Sequence, residues 1–113
     1  MIYIAAPYSH NDKSVVKQRV KMVCEYSADL LVNKKSCISP ITVGTGILSE
    51  VSLPTDFEFW QNLSYDLLDI CSEMHVLMID GWKESIGVQA EIKRAILNKI
   101  PVKYFNIYKD EQK

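Results

Sequence analysis

The chain has 113 residues, 48% of them apolar and 24% charged, with a formal net charge of -1. That length suits one domain, residues 1–113, built on one modest core. The near-neutral balance gives no electrostatic footing for a nucleic-acid polymer, and no apolar run approaches the roughly 18 residues of a membrane span.

Residues 2–6, IYIAA, read as a short buried strand bounded by Pro7. Their lead-in has no basic segment of the kind that opens a secretory leader. Residues 12–33 read as a helix capped by Asp12, with Val16, Val20, Val23, Ser27, Leu30 and Leu31 at helical spacing. SCISPI reads as a second short strand closed by Pro40. Residues 42–56, with two glycines and a proline, read as a loop holding at most one helical turn.

Asp56 caps a predicted helix whose face is marked by Phe59, Leu63, Leu67 and Ile70. MHVLMI, residues 74–79, is continuously apolar, as expected of a central parallel strand covered on both faces. His75 within it reads as a packed residue. A last helix spans 86–99 with Val88, Ile92, Ala95 and Ile96 inward, and PVKYFNIY forms a final strand before a solvated KDEQK tail.

Strands alternating with helices predict a small α/β fold. It is a flavodoxin- or Rossmann-like three-layer sandwich around a parallel sheet of about four or five strands. Cys24, Cys37 and Cys71 lie far apart, and neither they nor His10 and His75 have metal-ligand spacing. An odd cysteine count without a leader predicts free buried thiols in a reducing cytoplasm. No metal and no cofactor are expected.

Ligands of such sheets bind beyond the carboxyl ends of the strands. Three polar segments fall there: PYSH, TVGTG and DGWKES. GxGxxG and GxxxxGK[ST] are both absent, which argues against dinucleotide and P-loop chemistry. Ser85 precedes the last helix, and the spacing leaves open whether it only caps that helix or also holds a ligand phosphate. Glu91 borders the apolar stripe of the same helix. Spacing alone favours a boundary glutamate whose head reaches water. The alternative is a desolvated carboxylate acting as a nucleophile or stabilising a cationic sugar.

IYIAAPYSH, Arg19, SPI, LPTDFEFW, VLMIDGWKESIGVQAEIKRA and PVKYF, taken in order, resemble the DUF1937 family. That family is similar to the nucleoside 2-deoxyribosyltransferases and the deoxynucleoside 5'-monophosphate N-glycosidases. The SxGxxxE segment from Ser85 to Glu91 is the most specific part of the likeness. The resemblance implies cleavage or transfer at the N-glycosidic bond of a (deoxy)nucleoside or its monophosphate. It makes Glu91 the nucleophile and Tyr3 its assistant, and so reverses the weighing from spacing.

It also implies substrate contacts from Pro7, Tyr8, Ser9, His10 and Arg19. Asp80, Gly81, Ser85 and Gly87 follow as binding positions, and Trp60 or Trp82 as the aromatic cover of a base. Ser64 stands where the related enzymes carry an aspartate. Asp66 is a further candidate, although two residues turn a helix by about 200°. Asp80 and Asp69 are candidates for a compensating carboxylate. Such departures keep a second expectation open, a silent protein that sequesters a nucleotide or a cyclic ADP-ribose-like signal, as some small viral (phage) proteins do. The partner expected is a small nucleoside or nucleotide. A homodimer or larger homo-oligomer is expected, with its site near the interface and LPTDFEFW near the contact.

Overall fold

The computed structural model describes residues 1–107. The predicted tail lies outside them, as does Tyr108 at the end of the predicted last strand. IYIA forms strand β1 (Ile2–Ala5), buried at every position. A strand alternates its side chains across the sheet, so both of its faces must be covered. Tyr3 and Ala5 project with Met74 and Val76 towards one core, and Ile2 and Ile4 with Leu77 towards the other.

Helix α1 (Lys13–Val32) covers the second face. The predicted cap is present, since the Asp12 side chain accepts the Ser14 N–H at 2.9 Å. The buried line is Arg19, Met22, Val23 and Leu30, whereas Leu31 is exposed. Strand β2 is only Cys37–Ile38, and it pairs in parallel with β1.

The loop expected over 42–56 is in its first half a helix, α2 (Pro40–Leu48). Its start explains why. Ser39 accepts the Ile41 N–H at 3.2 Å, and Pro40 sits in the first turn, where no N–H is required. The hydroxyls of Thr42 and Thr45 bond back to the carbonyls of Ser39 and Ile41. Pro40 therefore opens a helix more than it closes a strand.

Helix α3 (Phe57–Asp69) carries the predicted Asp56 cap. Its inward face is not the predicted one, because Phe59 and Ile70 are exposed and the buried positions are Ser64 and Leu68. A serine inside the stripe hid it from an apolar-only pattern. Strand β3 (Glu73–Leu77) pairs with β1 along its length and with β4 (Val102–Phe105) on its other side. His75 is packed as expected, taking a 2.8 Å hydrogen bond with the Tyr26 hydroxyl and lying near Phe105.

Helix α4 (Ile86–Leu97) buries Val88, Glu91, Ile92 and Ala95, while Ile96 is exposed. With α3 it covers the first face of the sheet. Of the cysteines only Cys71 is buried, Cys37 is half-buried and Cys24 is exposed, so the expected burial holds for part of the set. Among the described residues no helix is long and apolar enough to cross a membrane.

The result is a three-layer α/β fold with one parallel sheet of order β2-β1-β3-β4. Chain order reverses between β1 and β3, so the loops leaving their carboxyl ends diverge and open a crevice there. One residue fixes that crevice. Gly81 has φ +95°, and an added Cβ would lie 2.6 Å from Arg19 Nη2. Gly81→Ala is therefore expected to destabilise the protein by about 1–3 kcal/mol. An unchanged thermal midpoint for that variant would show that the turn tolerates a side chain.

Candidate active site

The crevice is an open cleft of about 1180 Å³. Its wall comes from the residues after β1, from α1, α2 and the start of α3, and from the segment between β3 and α4. Most of the predicted binding positions meet here. Pro7, Tyr8, Ser9 and His10 line it from the first loop, and Asp80, Gly81, Ser85 and Gly87 from the loop after β3.

Arg19 reaches the cleft wall from α1 but is 93% buried by its surroundings, being 7% exposed. Its guanidinium donates to the carbonyls of Ser9 and Asp80, each at 2.8 Å, and more weakly to that of Tyr8. It ties the two loops of the switch point together. Among the described residues its Nε is buried without a partner, so that face of the guanidinium offers a ligand no access. The structure thus gives Arg19 a positioning task beside the binding role expected of it.

At the inner end lies Glu91. Val88 and Ala95 hold its helix face against the sheet, which carries the side chain inward. The residue is 5% exposed, so the expectation from spacing, a carboxylate with its head in water, does not hold. The Tyr3 hydroxyl donates to Glu91 Oε2. The Ser64 hydroxyl reaches the same tyrosine. Ser64, Tyr3 and Glu91 therefore form a short polar chain in an otherwise apolar floor, contributed by α3, β1 and α4.

Burial pushes the Glu91 carboxyl up to about 8, and the Tyr3 hydrogen bond offsets only part of that rise. Burial and the neighbouring Glu91 push the Tyr3 phenol well above its usual range. Tyr3→Phe removes the one named group that favours the charged carboxylate. The Glu91 pKa is then expected to rise further, by about one unit for a bond of ordinary strength. Carbon-detected NMR titration of the carboxyl reads this directly, and a fall would contradict the assignment of that bond.

Ser85 accepts the Val88 N–H at 3.2 Å and caps α4, with its hydroxyl on the cleft wall. Trp60 lines the outer part, its indole N–H bonded to the Pro54 carbonyl at 2.8 Å and its ring packed on Gly44. Gly87 lies under Phe57, where an added Cβ would be 3.1 Å from the ring.

Three candidates fall elsewhere. Trp82 packs against the α3–α4 core and near Tyr104, away from the cleft. Asp66 is exposed on the outer side of α3, as its rotation from Ser64 requires. Asp69 is engaged by Arg94, with 2.6 Å between Nη2 and Oδ2, and by Asn98. Residues that the sequence reading passed over include Phe57 and Glu84 on the wall, and Asp56, read there only as a cap. The floor position of Ser64 was legible through the resemblance, which sets it at an aspartate position of the related enzymes, and through its spacing, four residues from both Trp60 and Leu68. Among the described residues no group of three or more His, Cys, Asp and Glu side chains is arranged to hold a metal ion.

A buried acid at the end of a roomy cleft, supported by a phenol and ringed by polar loops, is a common plan for chemistry on a small organic molecule. A comparison with curated proteins finds no match. A family model described as "Domain of unknown function (DUF1937)" matches residues 1–107, which span all eight elements and every residue of the cleft. The chain therefore belongs to the DUF1937 family.

Proposed function

We propose that the protein cleaves the N-glycosidic bond of a nucleoside or nucleoside monophosphate, with Glu91 as nucleophile. The observation that carries this reading is the Glu91 carboxyl, 5% exposed, on the floor of a cleft large enough for a nucleoside. The resemblance of the family to nucleoside 2-deoxyribosyltransferases and deoxynucleoside 5'-monophosphate N-glycosidases supports it.

Departure of the base leaves positive charge on the sugar. A fixed carboxylate in a poorly solvated site stabilises that charge or captures it as an ester. In the step itself a Glu91 oxygen bonds to the anomeric carbon. The carbon–nitrogen bond breaks, and its electron pair leaves with the base, which takes a proton from solvent. Water then hydrolyses the ester, or a second base accepts the sugar. Tyr3 holds Oε2, which leaves the other oxygen for the sugar.

The test is incubation with nucleosides and their 5'-monophosphates, and chromatography for free base. Release of base supports the reading. No release, with a raised melting temperature in the presence of nucleotide, would favour a protein that only sequesters its ligand.

Ile86 on the cleft wall is 79% exposed, and Phe59, packed edge-on against the cleft residue Trp60, is 47% exposed. Exposed apolar side chains of this size favour association where they lie together. A homodimer or larger homo-oligomer with residues 53–60 near the contact is the expected assembly. Light scattering that returns the mass of one chain would count against it.

A further inference from the structure

The cleft has an uneven charge. Asp56, Asp80 and Glu84 stand exposed around it, against the single buried guanidinium of Arg19. That guanidinium is already directed at backbone carbonyls. The field a ligand meets is therefore negative, and apolar walls concentrate it. Among the described residues the floor also lacks a second acid. Among the described residues, the polar side chains buried along the cleft are Arg19, Ser64 and Glu91, and the Tyr3 proton is directed at Glu91.

Neutral bases are poor leaving groups, because the nitrogen departs with a negative charge unless it is protonated. With the carboxyl acting on the sugar, nothing on this floor is placed to supply that proton. A base that already carries a positive charge needs none. Such a ring is also electron-poor, and the aromatic side chains of Trp60, Phe57 and Tyr8 line the cleft, where a cationic ring gains from contact with them.

We propose that the preferred ligand is an N-glycoside of a permanently cationic base, of the N-ribosyl or N-deoxyribosyl pyridinium class. The inference rests on the glycosidic reading of Glu91 and specifies its substrate. The step balances without an outside acid. The carbon–nitrogen pair returns to the pyridinium nitrogen, which leaves as neutral pyridine. A Glu91 oxygen bonds to the anomeric carbon, and water then gives the free sugar and one proton.

Nicotinamide riboside and its 2'-deoxy counterpart are the cationic probes. The dihydro form of nicotinamide riboside is a neutral ligand of nearly the same shape, and inosine and 2'-deoxyinosine are neutral nucleosides. Nicotinamide is expected to be released with kcat/KM at least about 100-fold above that for the purine nucleoside of the same sugar. The dihydro form is expected to bind about tenfold more weakly than the cation, as one unscreened charge pair predicts.

The double variant Asp80→Asn, Glu84→Gln is expected to raise KM for the cation about tenfold with little change in kcat, since both side chains lie on the exposed rim. Purine nucleosides cleaved as well as the pyridinium, or a dihydro form that binds as tightly, overturns the inference and leaves the role of Glu91 standing. Base release from neither class overturns both.

Discussion

Glu91→Gln is expected to lower base release by at least about a thousandfold, with substrate binding largely kept. Glutamine matches the shape and can still accept the Tyr3 hydroxyl, but it can neither attack a sugar nor balance its charge. The pH profile gives the same residue a second signature. The carboxyl is held up to about 8 by burial, so only the minority ionised form is active at neutral pH. In the free enzyme kcat/KM should rise about tenfold per pH unit and level off above about 8. A profile that falls over that range would make Glu91 a proton donor instead. Rapid-quench assays of base release between pH 5.5 and 9 distinguish the two.

The second large effect is on stability. A carboxyl raised from its ordinary 4.5 to about 8 binds its proton more tightly in the folded chain than in the unfolded one. The contribution is full below pH 4.5 and is lost as pH rises towards 8, at about 1.4 kcal/mol per unit. Glu73, bonded by His75 and Lys103, has the opposite sign: its pKa is lowered, and its contribution disappears only on acidification below the ordinary carboxyl range. Wild-type protein should therefore be most stable near pH 5 and lose several kcal/mol by pH 8. Glu91→Gln should abolish that decline and melt more than about 5 °C above wild type at pH 8.5. Parallel melting curves for the two proteins across pH would expose a flat wild-type profile, which would mean that the carboxyl is better solvated than its burial indicates.

The elements that came through in the sequence are those whose caps and periods agree. Asp12, Asp56 and Ser85 each mark a helix start by side-chain chemistry, and IYIA and MHVL mark the two central strands by unbroken apolarity. Helix α2 was hidden because Gly44 and Gly46 read as loop, whereas Gly44 is buried at a contact with Trp60 and Ser39–Pro40 is a helix-opening pair. The face of α3 was misjudged because the inward line runs through Ser64 and leaves Phe59 outside.

For the site, the loops at the strand ends were legible from topology, since any parallel sheet opens its crevice there. What spacing could not give was depth. A glutamate beside an apolar stripe is on the boundary in a helical projection, and only the packing of α4 across β1 carries Glu91 beneath the surface and onto Tyr3. The same limit applies to Trp82, whereas the turn of about 200° from Ser64 already set Asp66 on another face. The position of Trp82 beside motif residues suggested contact, but its side chain packs against the α3–α4 core.

The most direct test is chemical capture of the sugar. A nucleoside bearing fluorine at C2' in the arabino configuration slows hydrolysis of a glycosyl ester, because the fluorine destabilises the cationic transition state. Incubation with this analogue, trypsin digestion and mass spectrometry are expected to place one fluorinated sugar on peptide 84–93, at Glu91. A sugar attached to any other residue, or an adduct that still forms in Glu91→Gln, would contradict the assignment.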